Sequence, residues 1–513
     1  MKRTAAWWWV PGVAGIVCLL QLVRNSVPPF ANLTLSFDGD AALHLVLGDL
    51  MLQQGGWLDT EPTSVLAGDT PFIAHEWLAE VAMALAARPF GLAGPVILAA
   101  LVVALLAAGM HRRALAMGAT TWPAVVVLVA ALMVQNTHLH PRPHVLTWAL
   151  GFAFVTGCEQ LRTGALAPRA WLGRSLLIVL LWAQVHAGFL VIAPVLLAFG
   201  VGSVLEALAV PEPGAAWRRA GTYAGGLVVL LLASGLNPWG FALHAHFLAW
   251  LGNDYMTSFT TEFQSPDFRG PAGWILLAYM TLLWVGLAGA RTPPPAPWLL
   301  LSLGLNAMAL HSARHGALFA TFTAPFVAER LSSALGGLAR SPGPLGDAAG
   351  AVLRSSHGLD EAEARRGGWG LVALALVGLL GAVGLARTPE ITFDRDLQPV
   401  DAVDWIEAHP DALEGPMFNS FRWGAYLAWR LYPDRQVFLN SWHDHLGEEA
   451  LRTYFEVHDV TPGWEKVLRR HRIAWVIYPT GSHLAHALDD DDSWERVYQD
   501  ATAGIWVRRR VGS

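Results

Sequence analysis

At 513 residues, 54% hydrophobic and only 14% charged, with a mean hydropathy of +0.40 and a net charge of -6, the chain is too apolar for a soluble globular protein and gives no reason to expect nucleic acid. Its two cysteines, Cys18 and Cys158, both fall in apolar runs, which excludes a disulfide framework and a zinc quartet. The 24 tryptophans suit the interfacial belts of a polytopic α-helical membrane protein.

A basic head (Lys2, Arg3) and an apolar run over 7–23 predict an uncleaved first span, because no small-x-small cleavage site follows. Apolar runs at 92–110, 122–134, 145–158, 176–184, 189–205, 221–234, 275–290, 298–310, 317–328 and 369–386 bring the total to about eleven spans. This transmembrane domain occupies 1–386, with outer loops at 25–75 and 235–272. A Gly-, Ala-, Ser- and Arg-rich stretch at 332–368 reads as a flexible cytoplasmic linker. Arginines concentrate in alternate loops, which puts the N-terminus inside and the segment after the last span outside.

Histidines sort the other way. His44, His75, His138, His140, His144, His186, His244, His246, His311 and His315 all fall at outer loops or outer span ends, so one aqueous face has gathered groups that bind and exchange protons. In the first outer loop, Asp40 and His44 stand four apart. A helix over 40–54 would place them on one face above Leu47 and Gly48, lying flat on the membrane surface, with Asp38 or Asp40 as its cap and Asp40 facing the site. Glu76 and Glu80 repeat the spacing beside His75 and Trp77, although the helix dipole alone favours Glu in a first turn. Arg142, between Pro141 and Pro143 and beside His144, offers a rigid fork suited to phosphate, and His311, Arg314 and His315 form a second cationic group. The 235–272 loop carries Glu262 and Asp267 among Phe259, Phe263 and Phe268, as an aromatic-anchored interfacial loop or a lid.

From 387 to 513 the pattern is water-soluble. Helix signals at 401–409, 423–431, 448–458 and 464–471 alternate with extended runs at 436–439, 474–478 and 504–508, which predicts a small α/β domain.

Taken together, Asp38-Gly39-Asp40, His75-Glu76-Trp77, Arg142-Pro143-His144, Asn237-Pro238-Trp239-Gly240 and Ser312-Ala313-Arg314-His315 resemble a bacterial group within the GT-C superfamily of membrane glycosyltransferases. Asn419 to Tyr426 and Val437 to Asn440 resemble that group's soluble domain, and distantly the tryptophan-rich acceptor motif of oligosaccharyltransferases. That motif's aspartate is missing, with Gly424 directly after Trp423, so no peptide-acceptor role is carried over. The resemblance implies inverting transfer of a sugar from a polyprenyl-phosphate donor to a glycan, lipid or protein acceptor at the outer face of the cytoplasmic (inner) membrane. Asp40 is then the expected base, with Asp38 or Glu76 as runner-up. Arg142, Arg314, His315 and His144 are expected to hold the donor phosphate, with His44, His75 and Glu262 lining the site. Mg2+ or Mn2+ on Asp38, Asp40 and Glu262 is compatible with this chemistry, although nothing in the spacing demands it. The rival classes are a transporter or flippase of a lipid-linked substrate, which would place polar groups at mid-bilayer on broken helices, and a catalytically silent membrane scaffold.

Overall fold

The computed structural model describes residues 12–26, 39–68, 70–258, 260–365, 369–385 and 393–509, so Asp38 and Phe259 lie outside the described residues. The first apolar run forms α1 (Val13–Ser26), the first outer loop supplies α2 (Asp40–Gln54), and α3 (Trp77–Phe90) follows directly after it. The bundle continues through α4 (Ala93–Ala116), α5 (Thr121–Asn136), α6 (His144–Arg162), α7 (Pro168–Val185), α8 (Ile192–Ala209) and α9 (Gly214–Ser234). After α9 come α10 (Ala242–Leu251), α11 (Asp254–Ser258), α12 (Pro271–Gly289), α13 (Ala296–His311), α14 (His315–Leu338), α15 (Pro344–Arg365) and α16 (Gly370–Leu385). Helices α7, α12 and α13 carry a proline in their first turn, where the missing N–H would have had no intrahelical partner.

Ala93–Ala116, Ala187–Ala209 and Pro271–Gly289 are each long and apolar enough to cross a membrane; α1, α5, α10, α13 and α16 are shorter apolar helices. On the outside of the bundle, Leu177 and Leu208 are each 72% exposed and Trp274 60%, an apolar surface suited to lipid. Inside, the buried Glu159 carboxylate is paired: it accepts from the Arg162 guanidinium at 2.6 and 2.9 Å and from Trp298 Nε1 at 2.8 Å. Such residues interrupt the hydropathy of helices that are otherwise part of the bundle.

The 332–368 stretch is more than a connection. Most of it is helix, α15, and its polar residues serve the start of α5: Asp360 accepts from the Thr121 N–H and hydroxyl, and Ser356 Oγ accepts from the Trp122 N–H at 3.2 Å. Side chains that read as linker composition satisfy the orphan donors of another helix.

The C-terminal segment is a small α/β domain. Its elements are α17 (Val400–Ala408), β1 (Met417–Asn419), α18 (Gly424–Leu431), α19 (His443–His458), α20 (Trp464–Arg470), β2 (Trp475–Pro479), α21 (His483–Asp489), β3 (Trp494–Gln499) and β4 (Ala503–Arg508). The sheet order is β1-β2-β4-β3, with β1 parallel to β2 and the remaining pairs antiparallel. The extended run at 436–439 joins no strand of this sheet. Val437 instead bridges in parallel to Ser64 of the first outer loop: the Val65 N–H donates to Val437 O at 2.7 Å and the Val437 N–H to Thr63 O at 2.9 Å. Glu61 shapes its side of this seam by accepting from the backbone N–H groups of Thr63 (2.7 Å) and Ser64 (3.1 Å).

This seam explains the surroundings of α2, which packs between α3 and α18 with Ala41, Leu43, Leu45 and Leu47 all buried. Protein covers the side that the sequence assigned to lipid, and none of the described side chains caps the helix; Gly39 is its N-cap. The α2–α3 crossing is close because residue 48 is glycine: a Cβ there would lie 2.2 Å from the Glu80 carbonyl oxygen.

Candidate active site

Asp40, the first residue of α2, faces Arg142 from the loop before α6, with Oδ2 and an Arg142 guanidinium nitrogen 2.8 Å apart. The Glu76–Glu80 spacing converges beside it. One turn along α2, His44 Nδ1 lies 3.0 Å from Glu80 Oε1 and 3.6 Å from Glu76 Oε2. The other Glu76 oxygen is 3.8 Å from His75 Nε2 and 3.5 Å from His186 Nε2. Glu262 of the 235–272 loop meets His138 at 3.1 Å, and its backbone carbonyl accepts from the Arg314 N–H at 2.9 Å and from the Ser312 hydroxyl at 2.9 Å. The Arg314 guanidinium lies over Phe263, 4.9 Å from the ring centre.

These groups share one field. Burial works to raise the Glu262 carboxyl, but Arg314, His138 and Arg142 more than offset it and hold it below the usual carboxylate range. Burial wins at Glu76, which is pushed up to about 8 although Arg314 and Arg142 oppose the shift. Glu80 is also held well above the ordinary value, by burial and then by Glu76. Burial pushes His44 down to about 3, with Arg142 adding to the effect, so the His44–Glu80 contact is between neutral groups, the carboxylic acid donating to Nδ1.

Two sequence-singled residues have structural partners. His144 Nε2 donates to the His138 carbonyl at 2.9 Å, tying the 138–144 loop together, and His315 Nδ1 faces the Met308 carbonyl at 3.3 Å. Asp38 lies outside the described residues. Among the described residues of the magnesium or manganese set, Asp40 faces Arg142 and Glu262 faces His138. Glu80 and His186 are members that sequence reasoning left outside the site. Their signals were the Glu76–Glu80 spacing and the histidine asymmetry.

His186 has a fixed tautomer. Its Nδ1 accepts from the Gly188 N–H and the Thr147 hydroxyl, both at 2.8 Å, leaving the neutral ring's proton on Nε2, toward Glu76. Trp182 Nε1 donates to Thr147 Oγ1 at 2.8 Å. Thr147→Val keeps the shape but strands the buried indole N–H. We expect a loss of about 1–3 kcal/mol, read as a lower unfolding temperature in detergent; an unchanged temperature would reject this chain of donors.

The C-terminal domain closes one wall. Trp442 stacks on His75 with ring centres 5.2 Å apart, and Asp444 pairs with His246 of α10 at 3.0 Å. Asn440 aims the indole by accepting from the Trp442 N–H at 2.9 Å while donating to Thr63 Oγ1 at 3.0 Å.

Stability should depend on pH through Glu76. Between about 4.5 and 8 the folded chain keeps a proton on Glu76 that the unfolded chain has released, so its contribution falls as pH rises. His44 and His138, each held near 3, and His75, near 4, act in the opposite sense only below about 6.5. From pH 6.5 to 8, therefore, the chelator-treated protein should lose up to about 1.4 kcal/mol per pH unit through Glu76 alone, and Glu80, held well above its ordinary value, acts in the same sense. Glu76→Gln should weaken this slope, and a flat or rising wild-type profile in that window would contradict the protonated Glu76.

The chain has the GT-C fold of membrane glycosyltransferases. Archaeoglobus fulgidus oligosaccharyltransferase AglB, solved with an inhibitory peptide and a dolichol-phosphate, superposes with a TM-score of 0.52 at 13% identity over 97% of this chain and 74% of its own. ArnT from Cupriavidus metallidurans bound to undecaprenyl phosphate gives 0.51 at 14% identity, covering 96% of both chains. The mycobacterial arabinofuranosyltransferase AftD gives 0.52 at 15% identity over 99% of this chain but only 42% of its own. No family model and no curated protein sequence matches the chain. At such identities the likeness is one of fold.

Proposed function

We propose that this protein transfers a sugar from a polyprenyl-phosphate carrier to an acceptor hydroxyl at the outer face of the cytoplasmic membrane, inverting the anomeric centre. The observation that carries the reading is the Asp40 carboxylate held 2.8 Å from Arg142, in a site where Glu262 and Glu76 also feel the charge of Arg314. The fold adds support, since AglB and ArnT were solved with dolichol-phosphate and undecaprenyl phosphate.

In this reading the acceptor oxygen attacks the anomeric carbon as the bond from that carbon to the phosphate oxygen breaks. The hydroxyl proton passes to Asp40, and the departing phosphate keeps the electron pair. Arg142 and Arg314 hold that phosphate, whose low basicity removes the need for an acid on the leaving group. Acceptors among glycans, lipids and proteins all fit this chemistry.

The test is to incubate the purified protein with radiolabelled polyprenyl-phosphate sugars and a membrane extract as acceptor source. Label should leave the lipid fraction with one donor. Retention of label on every donor, at the level of protein-free controls, would overturn the proposal.

A further inference from the structure

We propose that His44, Glu76 and Glu80 form a binding site for one divalent transition-metal ion of the zinc type, separate from the Asp40–Arg142 pair. Among the described residues, these are the three whose imidazole and carboxylate donor atoms lie within 4.8 Å of one another, and all three side chains are buried.

The two separations measured from His44 fit a small tetrahedral ion. With metal–nitrogen and metal–oxygen bonds of about 2.0–2.2 Å, neighbouring ligand atoms of a tetrahedron stand about 3.4 Å apart. The separations from His44 Nδ1, 3.0 Å to Glu80 Oε1 and 3.6 Å to Glu76 Oε2, bracket that edge. An independent feature points the same way. Glu80 is 0% exposed, and its second oxygen, Oε2, has no hydrogen-bond partner. A carboxylate oxygen without a donor in the interior is costly, and a cation held by both Glu80 oxygens would satisfy it.

Charge balance supports the same assignment. Two carboxylates and a neutral imidazole carry two negative charges, which a divalent ion cancels; without it the pocket must hold protons instead. The donor chemistry disfavours magnesium, which takes oxygen ligands in octahedral geometry, whereas an imidazole with two carboxylates suits zinc. Outer groups are also in place: His186, with its proton on Nε2, and His75 both face the Glu76 oxygen that points away from His44, the kind of support that orients a metal-binding carboxylate. Three protein ligands leave a fourth position open.

The full-length protein in detergent is stripped with chelator, equilibrated with Zn2+ and desalted, and bound metal is counted by mass spectrometry. Co2+ loading provides a second readout through the visible bands of a four-coordinate ion. We expect about one ion per chain, as for a single site, a four-coordinate Co2+ spectrum, and at least tenfold weaker binding in Glu80→Gln and in His44→Asn. Asp40→Asn and Glu262→Gln should bind metal as the wild type does. Absence of bound Zn2+ and Co2+ in the wild type would overturn the proposal, as would preferential retention of Mg2+ or loss of metal in Asp40→Asn with full binding in Glu80→Gln. Because the readout is metal content, its outcome is independent of whether sugar transfer is observed.

Discussion

Asp40→Asn should lower sugar transfer by about 10²–10⁴-fold, the usual contribution of a positioned general base, while leaving the protein folded. The substitution keeps the shape of the side chain and removes its ability to accept the acceptor's proton. Its structural consequence should be small: the Asp40 and Arg142 side chains are 30% and 24% exposed, and a partly hydrated ion pair contributes about 0–1 kcal/mol. Donor binding should survive, because Arg314 is untouched and Arg142, released from Asp40, still presents its fork. The measurements are label release from the lipid-linked donor, donor affinity and the unfolding temperature. Wild-type turnover in a folded Asp40→Asn variant would reject the assignment of Asp40 as base.

The sequence made local features legible and left their partners hidden. The helix bounds of α2 follow from its apolar spacing and from Gly55, which ends it in a left-handed conformation, and they agree with the sequence reading. Helices α17, α18, α19 and α20 of the soluble domain, and its strands β2 and β4, were likewise visible from periodicity. Strands β1 and β3 and helix α21 were missed, each only six or seven residues long or shorter, too brief for a period to register. The 436–439 run reads as a strand of the soluble domain, but it forms only an isolated bridge at Val437, and nothing local reveals that Val437 pairs with Ser64, far away in sequence. The candidate site shows the same division. Asp40, Glu76, Arg142, Arg314 and Glu262 stood out because charge at a span end is costly unless used. Which imidazole meets which carboxylate depends on helix approach, so Glu80 looked like a dipole-favoured first-turn residue until the α2–α3 crossing brought it to His44. Trp442 carried no signal of its own, since only the seam between domains places it against His75.

That crossing gives the second large expected effect. In Gly48→Ala the new methyl would stand 2.2 Å from the Glu80 carbonyl oxygen and 2.5 Å from its carbonyl carbon, atoms of the backbone that no rotamer change can move aside. The helices must separate by roughly 1 Å, and overpacking of this kind costs about 1–3 kcal/mol. Replacing a helical glycine by alanine would otherwise gain about 1 kcal/mol of helix propensity, so the sign of the result is informative. Gly173 in α7 is the matched control, with nothing within 4 Å of its would-be Cβ; Gly173→Ala should raise the unfolding temperature where Gly48→Ala lowers it. Separation at residue 48 also pulls His44, one turn away on α2, from its 3.0 Å contact with Glu80. Gly48→Ala should therefore impair sugar transfer and weaken Zn2+ binding together, although no titratable group has been changed. Equal stabilisation by both alanines would mean that α2 and α3 do not meet at this glycine, and the convergence of His44, Glu76 and Glu80 would lose its structural basis.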